Sequence, residues 1–210
     1  MTAAAAGGMP MGDGASPFKV IGLIGDVCAG KSVAADVFAE LGAEVFRADR
    51  VVHELLEEQE VKKEVVRAFG EGVLCEDGRV DRAALAECVF SDRNQLDALG
   101  RILYPRTHSR IREAVRSAQT AGRPAVVLDA PTLLESGGSA MADEIVYVSA
   151  PEARRQAWAA ERGWPVEEIG RRERFLLSRS ERMGAARRVF SNEGTVEDLK
   201  RQVLQYWEED

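Results

Sequence analysis

The sequence predicts an α/β protein: a three-layer α/β/α sandwich around a five-stranded parallel sheet, with helical insertions. Three observations predict it. Short runs of buried β-branched residues alternate with segments of helical period, the pattern of a parallel sheet covered on both faces. A glycine-rich G-x-x-x-x-G-K-S stretch joins the first such run to the first helix. The chain has 210 residues, enough for one domain with insertions and for burying roughly 70% of its unfolded surface.

The elements follow in order. Phe18–Ile24 is a short apolar run that reads as a buried strand. Ser32–Leu41 places Val33, Val37, Phe38 and Leu41 at helical spacing, and Gly42 is a natural stop. Ala43–Ala48 reads as the second strand. Residues 51–118 are mostly helical, interrupted by a glycine-rich break at Gly70–Gly78. That stretch exceeds a simple crossover and predicts a helical subdomain over one sheet edge. Ala125–Leu128, Ile145–Ser149 and Val189–Ser191 complete the strands. The last helix, Val196–Glu208, opens with Thr195 and carries Asp198 three residues on, an acidic capping box. Residues 1–17, rich in Ala and Gly, are expected to form a disordered tail before a single domain over 18–210, with Met9 and Met11 as alternative starts.

Composition removes several classes. With 28 basic and 35 acidic residues the net charge is −7, the wrong sign for a general nucleic-acid or membrane-surface binder. No apolar run approaches the roughly 18 residues of a membrane span, and the N-terminus lacks a signal-peptide pattern. Cys28, Cys75 and Cys88 are scattered, without metal-ligand spacing, which fits a reducing cytoplasm. The chain is expected as a monomer or weak homo-oligomer. The basic set is lopsided, five Lys against 23 Arg. Guanidinium forks grip phosphates, and a codon bias gives the same excess.

Gly25, Asp26, Val27, Cys28, Ala29, Gly30, Lys31 and Ser32 form the candidate phosphate-binding loop. Its glycines let the backbone curl until successive N–H groups face phosphate oxygens. The following helix adds its positive dipole end. Lys31 is expected to reach the β and γ phosphates of ATP, and Ser32 to ligate Mg²⁺. Asp26 is out of keeping there, because a carboxylate repels a triphosphate, and it is expected to turn to solvent. Cys28 reads as a small tolerated loop residue.

A phosphate loop specifies a nucleotide triphosphate rather than a reaction. No N-K-x-D guanine-reading motif is present, and the chain length points to a small-molecule or nucleotide kinase. Such an enzyme needs a base for the attacking hydroxyl. Asp49, at the end of the second strand, is the candidate, with a helix N-cap as its plainer role. Asp129 closes the third strand at the same sheet edge and is expected to support Mg²⁺ through water, with a turn before Pro131 as the alternative.

These residues resemble the dephospho-CoA kinases. The similarity runs from about Ile21 to the C-terminus, through Gly25–Ser32, Leu41-Gly42-Ala43, Ala48-Asp49, Phe69-Gly70, Val80-Asp81-Arg82, Asp129-Ala130-Pro131 and Asn192-Glu193-Gly194. It implies the P-loop kinase fold with a CoA-binding helical subdomain over 51–118 and a lid over 150–185. The implied reaction is transfer of the ATP γ-phosphoryl group to the ribose 3′-hydroxyl of dephospho-CoA, with Asp49, Lys31 and Arg162 as catalytic groups. Asn192 falls on the adenine side, while His53, Arg82, Arg106 and Asp129 fall on the substrate side. Another small-metabolite or nucleoside kinase, or a nucleotide-binding regulator without transfer activity, stays open. The chain departs from the family pattern at Arg47, where an Asp is usual. It also has Tyr104-Pro105 for a His-Pro pair, and Ala186-Arg187 for Ala-Asp.

Residues 150–190 hold ten Arg, no Lys and six acids, a local charge of +4 that leaves −11 elsewhere. A lid of that charge stabilises a transferring phosphoryl group and excludes water. Arg162 is the first candidate to do so and Arg155 the second. Most of the other arginines are expected to lace a solvated helix face. Trp158, Trp164 and Trp207 are expected as packing anchors.

Overall fold

The computed structural model describes residues 18–90 and 92–209; the expected tail, 1–17, lies outside the described residues. Five strands form one parallel sheet: β1 (Lys19–Gly25), β2 (Glu44–Arg47), β3 (Ala125–Asp129), β4 (Glu144–Ser149) and β5 (Arg188–Ser191). Their order is β2-β3-β1-β4-β5, so β1 lies at the centre and the chain winds outward on both sides. Register is set by pairs such as Ile21 with Val127 and Leu23 with Val146. A central strand packed on both faces must be apolar throughout, and Ile21, Leu23 and Ile24 are at most 1% exposed.

Helix α1 (Lys31–Glu40) and the terminal helix α9 (Val196–Glu209) cover one face. There Phe38, Phe190 and Tyr206 meet edge-on or tilted, with Val37, Leu199 and Val203 around them. Thr195 and Asp198 exchange their expected capping contacts at the start of α9. On the other face lie Ile111 and Ala118 of the 28-residue helix α5 (Arg93–Thr120), against Val126, Leu128 and Tyr147.

Helices α2 (Ala48–Glu57), α3 (Gln59–Phe69), α4 (Arg82–Val89) and α5 build an apolar cluster of their own, including Leu55, Val61, Val65, Leu85 and Leu103. The glycine-rich break becomes a short 3-10 turn, Glu71–Val73, and a bridge from Leu74 to Val80. Strand β2 is shorter than expected because α2 already begins at Ala48, with Arg47 extended at the cap position. Asp49 therefore sits in the first helical turn and not at the cap. The Arg-rich segment folds as α6 (Glu152–Glu161), α7 (Glu168–Glu173) and α8 (Arg179–Gly184).

Candidate active site

Strand β1, the central strand, ends against the loop Asp26–Gly30, and α1 follows. At Gly25 a Cβ would stand 2.4 Å from the Val148 carbonyl of the neighbouring strand, so only glycine lets the chain turn there. Cys28 (φ 62°) and Gly30 (φ 94°) are both left-handed, and this pair of reversals curls the backbone inward. Gly30 supplies no side-chain cap to α1. The first amides of that helix are thus left to an anion.

The loop floors a cavity of about 390 Å³ that Lys31, Ser32 and Asp49 also line. Ligands of open parallel sheets bind at the carboxyl ends of the strands, and the cavity opens at that edge. Asp49 is exposed into it from α2. Asp129, at the end of β3, is largely buried and forms an ion pair with Lys31. Arg47 stands 3.5 Å from the same carboxylate and 2.6 Å from Asp36. The residue that departs from the family pattern thus supplies a second cation to Asp129.

Arg162 and Arg172 reach the cavity from the Arg-rich segment. The Arg162 guanidinium lies 3.4 Å from the Cys28 thiol, and Arg172 stacks 4.3 Å over the Trp164 ring. Trp158 and Trp207 pack against the core as expected. Trp164 packs against the small cluster of Cys28, Ala159 and Ile169, as expected of an anchor, and also forms part of the cavity wall. Arg155 is only 7% exposed and spends its guanidinium on Glu173 at 2.8 Å. It braces the segment from inside and does not face the cavity.

Asp26 corrects the sequence reading. Its carboxylate is fully buried, not turned to solvent. It accepts hydrogen bonds from the Tyr147 hydroxyl, the Ala150 amide and the Arg179 side chain. Burial, reinforced by this carboxylate, pushes the Tyr147 phenol well above its ordinary range. Asn192, expected among the nucleotide contacts, is 5% exposed beneath the loop and donates its amide to the Ala29 carbonyl. Its influence on a phosphate would run through the loop backbone.

The expected substrate-side residues divide. Asp129 lies at the phosphate loop. His53 and Arg82, whose side chains meet at 2.9 Å, line a separate surface depression with Glu54, Glu57 and Arg79. Arg106 pairs with Glu64 at 2.6 Å and with the Ile102 carbonyl. These three do not line the Lys31 cavity, because their helices turn those faces toward neighbouring helices and solvent.

Sequence reasoning missed most of the far wall: Phe90, Arg93, Leu96, Asp97, Thr132, Glu135 and Phe175. Three contacts close it. The Phe90 and Phe175 rings stack at 6.3 Å, and Arg93 donates to the Phe175 carbonyl. Glu135 accepts the Leu177 amide at 2.8 Å. Tyr104, singled out only as a departure, belongs to this wall, where burial first and the acids Glu135 and Asp97 next raise its phenol pKa.

The cavity therefore has a cationic, amide-rich end and an aromatic end, and the exposed Asp49 carboxylate lines it as well. Comparison with known proteins agrees with that chemistry. The family model for dephospho-CoA kinase matches residues 19–198. A dephospho-CoA kinase of Methylococcus capsulatus is 39% identical over 186 residues, 88% of this chain and 92% of the relative. That of Symbiobacterium thermophilum is 38% identical over 192 residues, covering 90% and 80%. A Thermus thermophilus crystal structure superposes with a TM-score of 0.78 at 31% identity, covering 91% of this chain and 97% of the other. By fold, loop and relatives together, the chain belongs to the dephospho-CoA kinase family.

Proposed function

We propose that this chain transfers the γ-phosphoryl group of ATP to the ribose 3′-hydroxyl of dephospho-CoA, giving CoA and ADP. The observation that carries the reading is Asp49, exposed into the same cavity that the phosphate loop and Lys31 floor. A carboxylate so placed accepts the proton of an attacking hydroxyl. The hydroxyl oxygen bonds to the γ-phosphorus as the bridge to the β-phosphate breaks, and ADP leaves. Lys31 and the loop amides hold the phosphate chain, and Arg162 and Arg172 offset charge on the transferring group.

The donors also suit Mg²⁺ carried in with ATP. That ion binds through one or two protein oxygens plus substrate phosphates. Among the described residues no group of three or more His, Cys, Asp or Glu forms a cage for a metal. The Ser32 hydroxyl would hold it directly and Asp129 through water. When bound it neutralises charge on the β and γ oxygens.

Residues 51–118 serve in this reading as the acceptor-binding subdomain, supported by their separate apolar cluster. Residues 150–185 serve as the lid, supported by Arg162 and Arg172 at the cavity. Cys28, Cys75 and Cys88 form no disulfide among the described residues, in keeping with a cytoplasmic enzyme. No helix among the described residues is long and apolar enough to cross a membrane.

A thermal-shift panel tests the acceptor. Dephospho-CoA at a hundredfold excess over its Kd is expected to add about 2.7 kcal/mol of stability. Shikimate, adenosine and AMP are expected to add little. A larger shift with any of those three would reassign the acceptor.

A further inference from the structure

The first residues of the phosphate loop are gripped from behind by the Arg-rich segment, away from the cavity. Arg182 is the centre of this grip. Its side chain is 3% exposed, although a free arginine at such a position belongs in solvent. It donates to the Gly25 carbonyl at 2.7 Å and to the Leu177 carbonyl at 3.1 Å. The same guanidinium lies 3.8 Å from both Asp26 and Glu173, and 5.6 Å over the Tyr147 ring.

Those two carboxylates reach the loop in turn. Glu173 accepts the Val27 amide at 3.1 Å, and Arg155 pairs with that carboxylate at 2.8 Å while approaching the Val27 carbonyl. Asp26 is itself a loop residue and takes Arg179. Gly25, Asp26 and Val27 are thus each bonded to α6, α7 or α8. Two carboxylates within reach of a triphosphate would repel it. Three guanidinium groups, Arg155, Arg179 and Arg182, offset them, and Arg182 alone touches both acids and the loop backbone.

We propose that Arg182 is a positioning residue for ATP: it touches no substrate, but fixes the entry of the phosphate loop and cancels the two acids beside it. The segment's arginines then divide by task. Arg162 and Arg172 face the reacting phosphates, whereas Arg155 and Arg182 set the shape and charge of the loop that receives them. The inference rests on the cavity being an ATP site and is independent of the acceptor.

The test is the Kd for MgATP, with the Kd for dephospho-CoA as control, measured by calorimetry on the full chain. Arg182→Met is expected to weaken ATP by about tenfold or more, one charge-assisted hydrogen bond's worth. Dephospho-CoA binding should change far less. Arg182→Met combined with Asp26→Asn, which removes the uncovered charge, should recover part of the loss. Arg182→Lys keeps the charge but has one nitrogen where Arg182 uses Nε for Leu177 and Nη1 for Gly25, and it carries the same test if Arg182→Met does not fold. A merely structural role lowers the melting temperature without separating the two ligands. An ATP-selective weakening below about threefold in the folded variants overturns the inference. Wild-type protein that binds ATP yet releases no ADP with dephospho-CoA overturns the acceptor assignment, and Arg182 is still judged on Kd alone. Wild-type protein that fails to bind ATP overturns both.

Discussion

Replacing Asp49 by Asn is expected to lower kcat by a factor on the order of 10²–10⁴, the range of a general base, with little change in ATP affinity. Asn keeps the shape of the side chain and removes its ability to take a proton. Asp49 is exposed in the first turn of α2, so the change leaves no buried group unpaired and folding should be unaffected. Asp49 is not part of the loop that holds the phosphates but lies on α2, which is why kcat should move and the Kd for ATP should not. Steady-state kinetics with a parallel ATP titration check both halves. Near-normal turnover in Asp49→Asn would leave the residue as an ordinary member of a helix turn and remove the base from the mechanism.

Lys31→Ala is expected to act on two quantities. Turnover should fall by a factor on the order of 10²–10³, the loss expected for one preorganised donor to a developing charge. Stability should fall as well. The Asp129 side chain is 9% exposed and pairs with Lys31; without it, Arg47 at 3.5 Å is the cation left to it among the described residues. A buried acceptor that loses its partner costs about 1–3 kcal/mol, or roughly 2–4 °C of melting temperature per kcal/mol at this chain length. The two effects separate in the double variant Lys31→Ala with Asp129→Asn. Neutralising the stranded carboxylate should restore much of the melting temperature and none of the turnover. Unchanged activity in Lys31→Ala would remove the phosphate-loop reading altogether.

How much of this site the sequence shows depends on how local each requirement is. The phosphate loop is legible because its demands are local. A strand, a left-handed Gly30 and a helix start lie within a dozen residues, and the side chains that matter are adjacent. Asp49 and Asp129 are legible for a related reason: Asp129 ends β3, Asp49 follows the end of β2 by two residues, and a parallel sheet assigns its carboxyl edge to ligands. Asp26 misleads because its surroundings are remote. Tyr147 and Arg179 lie 121 and 153 positions away along the chain, and no spacing rule connects them to the loop. Without them, exposure is the reasonable expectation for a carboxylate beside triphosphate.

The far wall of the cavity is hidden on the same ground. Phe90 closes α4, Tyr104 lies within α5 and Phe175 follows α7; only the folded chain brings them together. His53, Arg82 and Arg106 carry suitable chemistry at suitable sequence positions, but the rotation of their helices directs them away from the Lys31 cavity. A helix period fixes which residues share a face. It does not fix which way that face turns in an inserted subdomain with its own core. The net charge has the same limit. A net −7 excludes a general polyanion binder, yet Lys31, Arg93, Arg162 and Arg172 gather cations at one cavity.

ADP release measured by a coupled assay, with ATP, Mg²⁺ and dephospho-CoA supplied together, tests the central claim most directly. ADP is expected to form in step with a CoA product phosphorylated at the ribose 3′ position, with background release when dephospho-CoA is omitted. ATP binding without dephospho-CoA-dependent ADP release would contradict it.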